Sequence, residues 1–198
     1  MQILEQISNR FFNEMSDEVN LRDISSEERI DVAVRYYFYF LIYSFIGWIW
    51  ETAYTSLDTG RLQERGFLHI PILPIYGFSI IFIIAFFYDR KFTRSQIFIG
   101  SACITSIMEF CTSYVLERVF HKTWWNYSNM RFQIQGRICL LATIGFGIAS
   151  LIIVEFIHPR IKKMVYVLLE NKYSKKFCFI TLVLIVLDLS VTVVQLVR

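Results

Sequence analysis

The sequence predicts an all-α protein, a polytopic membrane bundle of about five transmembrane helices with an amphipathic helix before it. The 198 residues are 55% hydrophobic and 17% aromatic, and their mean hydropathy is +0.46. A small soluble core cannot bury that much apolar surface, so a bilayer is the natural solvent. Five apolar windows have about the length, roughly 20 residues, that a helix needs to cross the hydrocarbon. Charged residues gather towards one end of the bundle that these windows form.

Charge and cysteine usage exclude several classes of protein. The 20 Lys and Arg residues against 17 Asp and Glu residues give a net charge of +3, and no basic tract indicates nucleic-acid binding. The cysteines lie inside apolar stretches and never as CxxC, so they are interpreted as small buried hydrophobes and not as metal or redox ligands. They are Cys103, Cys111, Cys139 and Cys178. We expect neither a metal site nor a cofactor.

Residues 1–34 are predicted to form a cytoplasmic amphipathic tail. Apolar residues recur at helical spacing between Gln2 and Met15, which indicates a helix that lies on the membrane or docks on a partner. Ser25 and Glu28 have the spacing of a capping box that starts the helix leading into the first span. The segment lacks the apolar core and cleavage site of a secretory signal, so we expect the amino terminus to begin in the cytosol.

Residues 35–198 are predicted to form the transmembrane bundle. The five spans are expected at 36–57, 71–88, 97–120, 138–157 and 177–197. The second span is the shortest and opens with Pro71 and Pro74. Proline is tolerated in the first turn of a helix, so this span is expected to begin with an irregular, re-entrant piece.

The connections predict the orientation, because short cytoplasmic loops normally carry the excess of Lys and Arg. The segment up to Arg35 and the loops after spans two and four hold 13 of these residues, whereas the opposite side holds 7. The amino terminus is therefore expected inside and the carboxyl terminus outside. The loop 158–176 is expected to carry an interfacial basic helix with Ile161, Met164, Val165 and Leu168 on its apolar face.

Acidic residues inside the spans are the first candidates for a site, because an ionisable group there is costly unless it meets a partner or water. Glu51 lies in the outer half of span one. In span three, Ser106, Glu109, Ser113 and Glu117 follow a helical spacing that forms a polar stripe. The outer connections supply cations, namely Arg65, Arg118 and Arg137. We predict that three acids and three arginines meet near the outer surface, with Glu51, Glu109 and Arg137 in one interacting group.

Each of these features has two interpretations. The charges form either structural ion pairs or a polar cavity open to the outer face, in which an arginine could hold an anionic head group or carboxylate. Asp188, near the middle of span five, is either a hydrogen-bonded packing residue or a proton relay. The outer aromatic residues Trp124, Trp125, Tyr127 and Phe132 are either interfacial anchors or a lid. The three histidines have no paired spacing for a metal site.

Three segments resemble the family of bacterial membrane proteins known as putative type IV ABC transporter permeases. They are FYFLIYSFIGWIWETAY, RGFLHIPILPIYGF and WWNYSNMRFQIQGRICL, in this order between Phe38 and Leu140. The resemblance singles out Gly47, Trp48, Glu51, Arg65, Gly66, Phe67, Pro71, Pro74, Tyr76, Gly77, Trp125, Tyr127, Gly136 and Arg137. The sequence departs from the family pattern at Glu64, Ile70, Asn126 and Gln133. The missing glycine at Ile70 puts a tight turn before Pro71 in question.

The leading hypothesis is a permease-like protein of the bacterial cytoplasmic membrane, whose outer cavity binds or moves a small or amphiphilic ligand. The alternatives are an intramembrane lipid-modifying enzyme and a noncatalytic scaffold or partner subunit. The sequence contains no GxxxxGK[ST] motif, so a transporter of this kind needs a separate ATPase. The expected partners are membrane lipids with that ATPase or a second copy of the chain. The candidate ligand-binding residues are Glu51, Arg65, Tyr76, Glu109, Glu117, Trp125, Tyr127 and Arg137.

Overall fold

A computed structural model describes residues 26–63, 65–88 and 90–197 as an α-helical bundle. The helices are α1 (Ser26–Thr59), α2 (Pro74–Phe87), α3 (Arg94–Phe120), α4 (Leu140–Ile152), α5 (His158–Leu169) and α6 (Ser174–Val197). A π-helical turn, Ile153–Ile157, joins α4 to α5. Two short strands, β1 (Gln133–Ile134) and β2 (Ile138–Cys139), pair antiparallel in the connection between α3 and α4. We call the end of the bundle that carries these strands the hairpin end. The predicted amphipathic helix lies outside the described residues.

The helices have the lengths of membrane spans. Among the described residues, four helical stretches are long and apolar enough to cross a membrane: Ile30–Leu57, Arg94–Phe120, Leu140–Leu169 and Ser174–Val197. Helix α2 is shorter, with 14 residues, and rises about 21 Å at 1.5 Å per residue. The chain is thus an all-α, multi-pass membrane bundle, which confirms the predicted fold class.

Helix α2 begins at Pro74 after an irregular segment, as the two prolines indicated. This lead-in, residues 65–73, packs into the bundle and is held by hydrogen bonds to neighbouring helices. The Leu73 N–H donates to the Ser44 carbonyl oxygen of α1 at 2.9 Å, and the Arg65 N–H donates to Thr52 Oγ1 at 3.4 Å. Irregular backbone at membrane depth is stable only when its polar groups are bonded in this way.

The fourth span is longer than the sequence predicted. The helix continues from Leu140 through the π turn to Leu169, instead of ending near residue 157. Pro159 lacks the N–H that a regular helix would use, and the wider π turn absorbs the mismatch without ending the helix. Ile161 and Val165 are buried in the core, whereas Met164 and Leu168 are exposed. The segment is therefore a helix continuous with α4 through the π turn, and two of its four predicted apolar-face residues pack in the core.

Helices α1 and α2 pack closely because glycines face the contact. A Cβ on Gly77 would lie 2.8 Å from the Phe40 carbonyl oxygen and would also clash with Ser44, and a Cβ on Gly47 would overlap the Tyr76 ring. Small residues let membrane helices approach each other at backbone distance, which increases their van der Waals contact. This approach brings the first turn of α2, with Tyr76, against α1.

We expect Gly77→Ala to destabilise the bundle by about 1 to 3 kcal/mol, the usual cost of overpacking a dense contact. Gly145→Ala is the matched control, since nothing lies within 4 Å of a Cβ at Gly145. There the exchange should be neutral or stabilise the helix by about 0.5 to 1 kcal/mol. Thermal unfolding of both variants in detergent measures the difference, and equal melting temperatures would contradict the close contact.

Candidate functional site

Two buried or half-buried carboxylates lie close together at the hairpin end. Glu51 on α1 accepts a hydrogen bond from the Tyr76 hydroxyl of α2. Glu109 on α3 accepts one from the Tyr127 hydroxyl through Oε1, at 2.8 Å. Glu51 is near enough to Glu109 for their charges to interact. We call Glu51 and Glu109 the acid pair, and its hydrogen-bonded partners are neutral phenols from two further elements.

Glu109 is the more enclosed member of the acid pair. The residue is only 7% exposed, and its Oε2 is buried without a hydrogen-bond partner. Buried polar atoms in proteins are nearly always bonded, so an orphan carboxylate oxygen requires an explanation, such as a bound ligand, ion or water. Among the described residues, no Lys or Arg side chain forms an ion pair with Glu51 or Glu109.

Tyr127 lies in the connection between α3 and α4. Its burial raises the pKa of the phenol, and the Glu109 carboxylate beside it raises the pKa further, because both disfavour the phenolate. The hydroxyl therefore keeps its proton at neutral pH and donates to Glu109.

Arg137 binds a different acid of the predicted cluster. Its Nη2 lies 2.5 Å from Glu117 Oε2, and its Nη1 donates to Ser113 Oγ at 3.1 Å. The guanidinium also lies over the rings of Phe110 and Tyr114, and its Nε is buried without a partner. We call Arg137, Ser113 and Glu117 the arginine group.

The predicted group of Glu51, Glu109 and Arg137 is thus divided in the structure. Glu51 and Glu109 come together, but among the described residues no ion pair joins Arg137 to either of them. The physical reason is the stripe on α3. Glu117 and Ser113 lie nearer the end of the helix, where they meet the guanidinium of Arg137 from the turn before β2. Ser113 is one helical turn from Glu109, so the acid pair and the arginine group adjoin along α3.

The hairpin places Tyr127 and Arg137 side by side. The Tyr127 N–H donates to the Gly136 carbonyl oxygen at 2.7 Å, and the Trp125 indole donates to the Arg137 carbonyl oxygen at 2.9 Å. Gly136 has φ +67°, and a Cβ there would lie 2.7 Å from Asn126 Oδ1. Both the left-handed backbone and the lack of space for a side chain therefore favour glycine at this position. Gln133 closes the turn by accepting from the Gly136 N–H at 2.6 Å.

Arg65 lies at the same end, and no acid among the described residues pairs with it. Its Nη2 donates to the Trp124 carbonyl oxygen at 3.1 Å, and its own N–H is bonded to Thr52 on α1. Phe67 packs against Phe120 and Trp124 with ring centroids 5.3 and 5.4 Å apart. Among the described residues, Arg65 therefore forms a hydrogen bond to the Trp124 backbone in place of the predicted ion pair with an acid. These contacts fix the lead-in against the connection after α3.

Asp188 on α6 bonds the lead-in. Its Oδ2 accepts from the backbone N–H groups of His69 and Ile70, at 2.9 and 3.2 Å. Its Oδ1 lies 2.9 Å from His69 Nδ1, and Thr192 and Gln195 of the same helix also contact the imidazole. His69 was missed as a partner because 119 positions separate it from Asp188, and no local sequence pattern predicts such a contact.

Metal binding has no support in the part of the chain that the structure describes. No group of three or more His, Cys, Asp or Glu side chains there is arranged to hold a metal ion.

We expect Arg137→Gln to lower the stability of the bundle by about 1 to 3 kcal/mol, because Glu117 and Ser113 lose a charged hydrogen-bond donor. Lys172→Gln is the control, because Lys172 lies at the opposite end of the bundle with its Nζ 5.1 Å from the centroid of the Tyr173 ring. Unfolding in detergent at two salt concentrations compares the variants. A melting temperature unchanged by Arg137→Gln would show that the arginine group contributes nothing to stability.

Comparison with known proteins gives one match. Neither the curated proteins nor the solved structures contain a match to this chain. The family model described as "Putative ABC-transporter type IV" matches residues 38–193. This range begins within α1, contains α2 to α5 and ends within α6. The match covers well over half of the chain, and the chain belongs to this family of membrane transport-related proteins.

Proposed function

We propose that this protein is a permease-like membrane component that binds or moves a small or amphiphilic ligand at the acid pair. The observation that carries the proposal is Glu109, a carboxylate that is 7% exposed inside an apolar bundle and has one oxygen unbonded. An ionisable group at such a place is costly to retain for packing alone. Membership of a transporter family supports a transport role for it.

The scaffold alternative predicts an interior in which every buried charge is paired. Glu109 Oε2 and Arg137 Nε are buried without partners, so a purely structural network is the weaker explanation. The enzyme alternative would need a nucleophile activated through a base. Thr192 and Asp188 contact the same nitrogen of His69, Nδ1, whereas a nucleophile and an orienting acid must bond opposite nitrogens.

The proposal includes a separate ATPase, because the sequence contains no P-loop motif and the family is one of ABC transporters. We place its contact at the end of the bundle opposite the hairpin. A groove of about 490 Å³ there is lined by Asp31, Arg35, Tyr166, Lys172 and Lys175 among others. Charged side chains around an open groove suit a reversible contact with a soluble subunit.

We propose that the hairpin end faces the outside of the cytoplasmic membrane. The division of Lys and Arg residues, 13 against 7, supports this orientation, and the lead-in with α2 then completes a fifth crossing. Single cysteines added at positions 2 and 198 should react with an impermeant thiol reagent from opposite sides of the membrane. The native cysteines are first replaced by serine. Labelling of both positions from one side would require an even number of crossings.

We expect the protein purified in mild detergent to retain a small molecule or lipid that native mass spectrometry detects. Glu109→Gln should remove most of this adduct, because it replaces the carboxylate by an uncharged group of the same shape. Glu155→Gln is the matched control, since Glu155 pairs with Arg94 at the opposite end and leaves the acid pair untouched. Identical adducts on all three proteins would place the ligand elsewhere and contradict the proposal.

A further inference from the structure

The charges around the acid pair decide which kind of ligand it can hold. Each carboxylate is bonded by a neutral phenol, Tyr76 for Glu51 and Tyr127 for Glu109. The charged groups that act on Tyr76 are Glu51 and Glu109 themselves. A phenol donates a hydrogen bond but contributes no positive charge. The four side chains therefore bring two acids together with no positive charge among them.

Arg137 forms no ion pair with the acid pair among the described residues. Arg137 is engaged by Glu117 at 2.5 Å and by Ser113 at 3.1 Å, and its side chain is only 13% exposed. Its Cζ also lies over the rings of Phe110 and Tyr114, 5.9 and 5.4 Å from their centroids. A guanidinium so enclosed has a partner acid of its own and is poorly placed to receive an anionic ligand.

Arg65 is another cation at the hairpin end. Its guanidinium donates to the Trp124 carbonyl oxygen, and its backbone donates to Thr52. Among the described residues it forms no ion pair with either member of the acid pair. Among the described residues the acid pair thus has no cationic partner, and a positively charged ligand would supply one.

The walls of the site are aromatic. The rings of Tyr76 and Tyr127 carry the two hydroxyls that bond the carboxylates, and Phe146 of α4 packs against Tyr76 with centroids 6.2 Å apart. Ring faces attract cations, and aromatic cages with a nearby carboxylate are a known way to bind quaternary ammonium groups. Glu51 is half-buried, whereas Glu109 is buried.

We infer that the acid pair, with Tyr76 and Tyr127, is a binding site for a positively charged organic group, a substituted ammonium. This inference rests on the proposed ligand-binding function and names the class of ligand. The free Oε2 of Glu109 is the atom that meets the cation, and Glu51 contributes the second charge. The original expectation of an anion held by Arg137 is replaced by a cation held by the carboxylates.

Thermal unfolding of the detergent-purified full chain tests the inference, with choline chloride and tetramethylammonium chloride as probes and sodium chloride at equal ionic strength as reference. A ligand that binds only the folded protein raises its melting temperature in a saturable way. We expect saturable stabilisation by the ammonium probes. Glu109→Gln should weaken the apparent affinity about tenfold or more, in line with the loss of a charged interaction. Glu155→Gln should leave the affinity unchanged.

Two further variants keep the test decisive if Glu109→Gln folds poorly. Glu51→Gln and Tyr127→Phe should each weaken the affinity for the ammonium probes without moving the response to salt alone. Equal stabilisation by sodium and by the ammonium probes would overturn the organic-cation assignment. Equal affinities in the wild-type protein and in all three site variants would also overturn it.

The design separates the two proposals. Stabilisation by sodium phosphate or acetate that is lost in Arg137→Gln, with no response to ammonium, would overturn the cationic ligand and leave a ligand-binding function in place. If neither cations nor anions produce a saturable response, the assignment of a cationic ligand is also overturned. The proposed function itself falls only if, in addition, the copurified adduct is absent or insensitive to Glu109→Gln.

Discussion

The fold depends on how irregular backbone is satisfied inside an apolar bundle. The lead-in to α2, residues 65–73, cannot bond its own N–H groups as a helix does, and hydrocarbon offers no substitute. Its donors are met by Thr52 and the Ser44 carbonyl oxygen on α1 and by Asp188 on α6. Each of these bonds fixes the start of α2. Tyr76, in the first turn of that helix, thereby reaches Glu51.

The polar residues of α3 have two separate tasks. Towards the end of the helix, Glu117 and Ser113 hold Arg137, a neutral arrangement at the boundary of the bundle. One turn deeper, Glu109 receives only a phenol hydroxyl from Tyr127. An ion pair near an interface costs little free energy, whereas an acid without a cationic partner at greater depth costs much more. The contrast between these adjoining positions is what points to a ligand at the deeper one.

The features that could be predicted from the sequence are those that depend on residue periodicity and composition. Five apolar segments, the proline start of α2 and the polar stripe on α3 follow from spacing and side-chain chemistry, and the family resemblance is confirmed. The continuation of the fourth span was missed because Pro159 is a strong sign of a helix end, and whether a π turn absorbs it depends on the packing of Ile161 and Val165.

Ion-pair partners were predicted less well than the location of the charges. Depth along a helix predicts which residues share one end of a bundle, but a difference of one turn decides whether Arg137 meets Glu117 or Glu109. Likewise, the contact of His69 with Asp188 depends on the path of the irregular lead-in. Such paths are set by tertiary hydrogen bonds and leave no periodic trace in the sequence.

The sparse packing of α6 has a consequence for how the protein is made. Only 11% of its apolar window is buried, and it meets α1 through contacts such as Tyr37 with Thr181 and Phe38 with Phe177. A helix with so many apolar residues inserts into the membrane independently and associates with the other helices afterwards, in a second stage of assembly. Because α6 follows the lead-in in the sequence, Asp188 is synthesised after His69 and bonds it only once α6 has inserted. Correct docking of α6 is therefore a late, polar step in biogenesis.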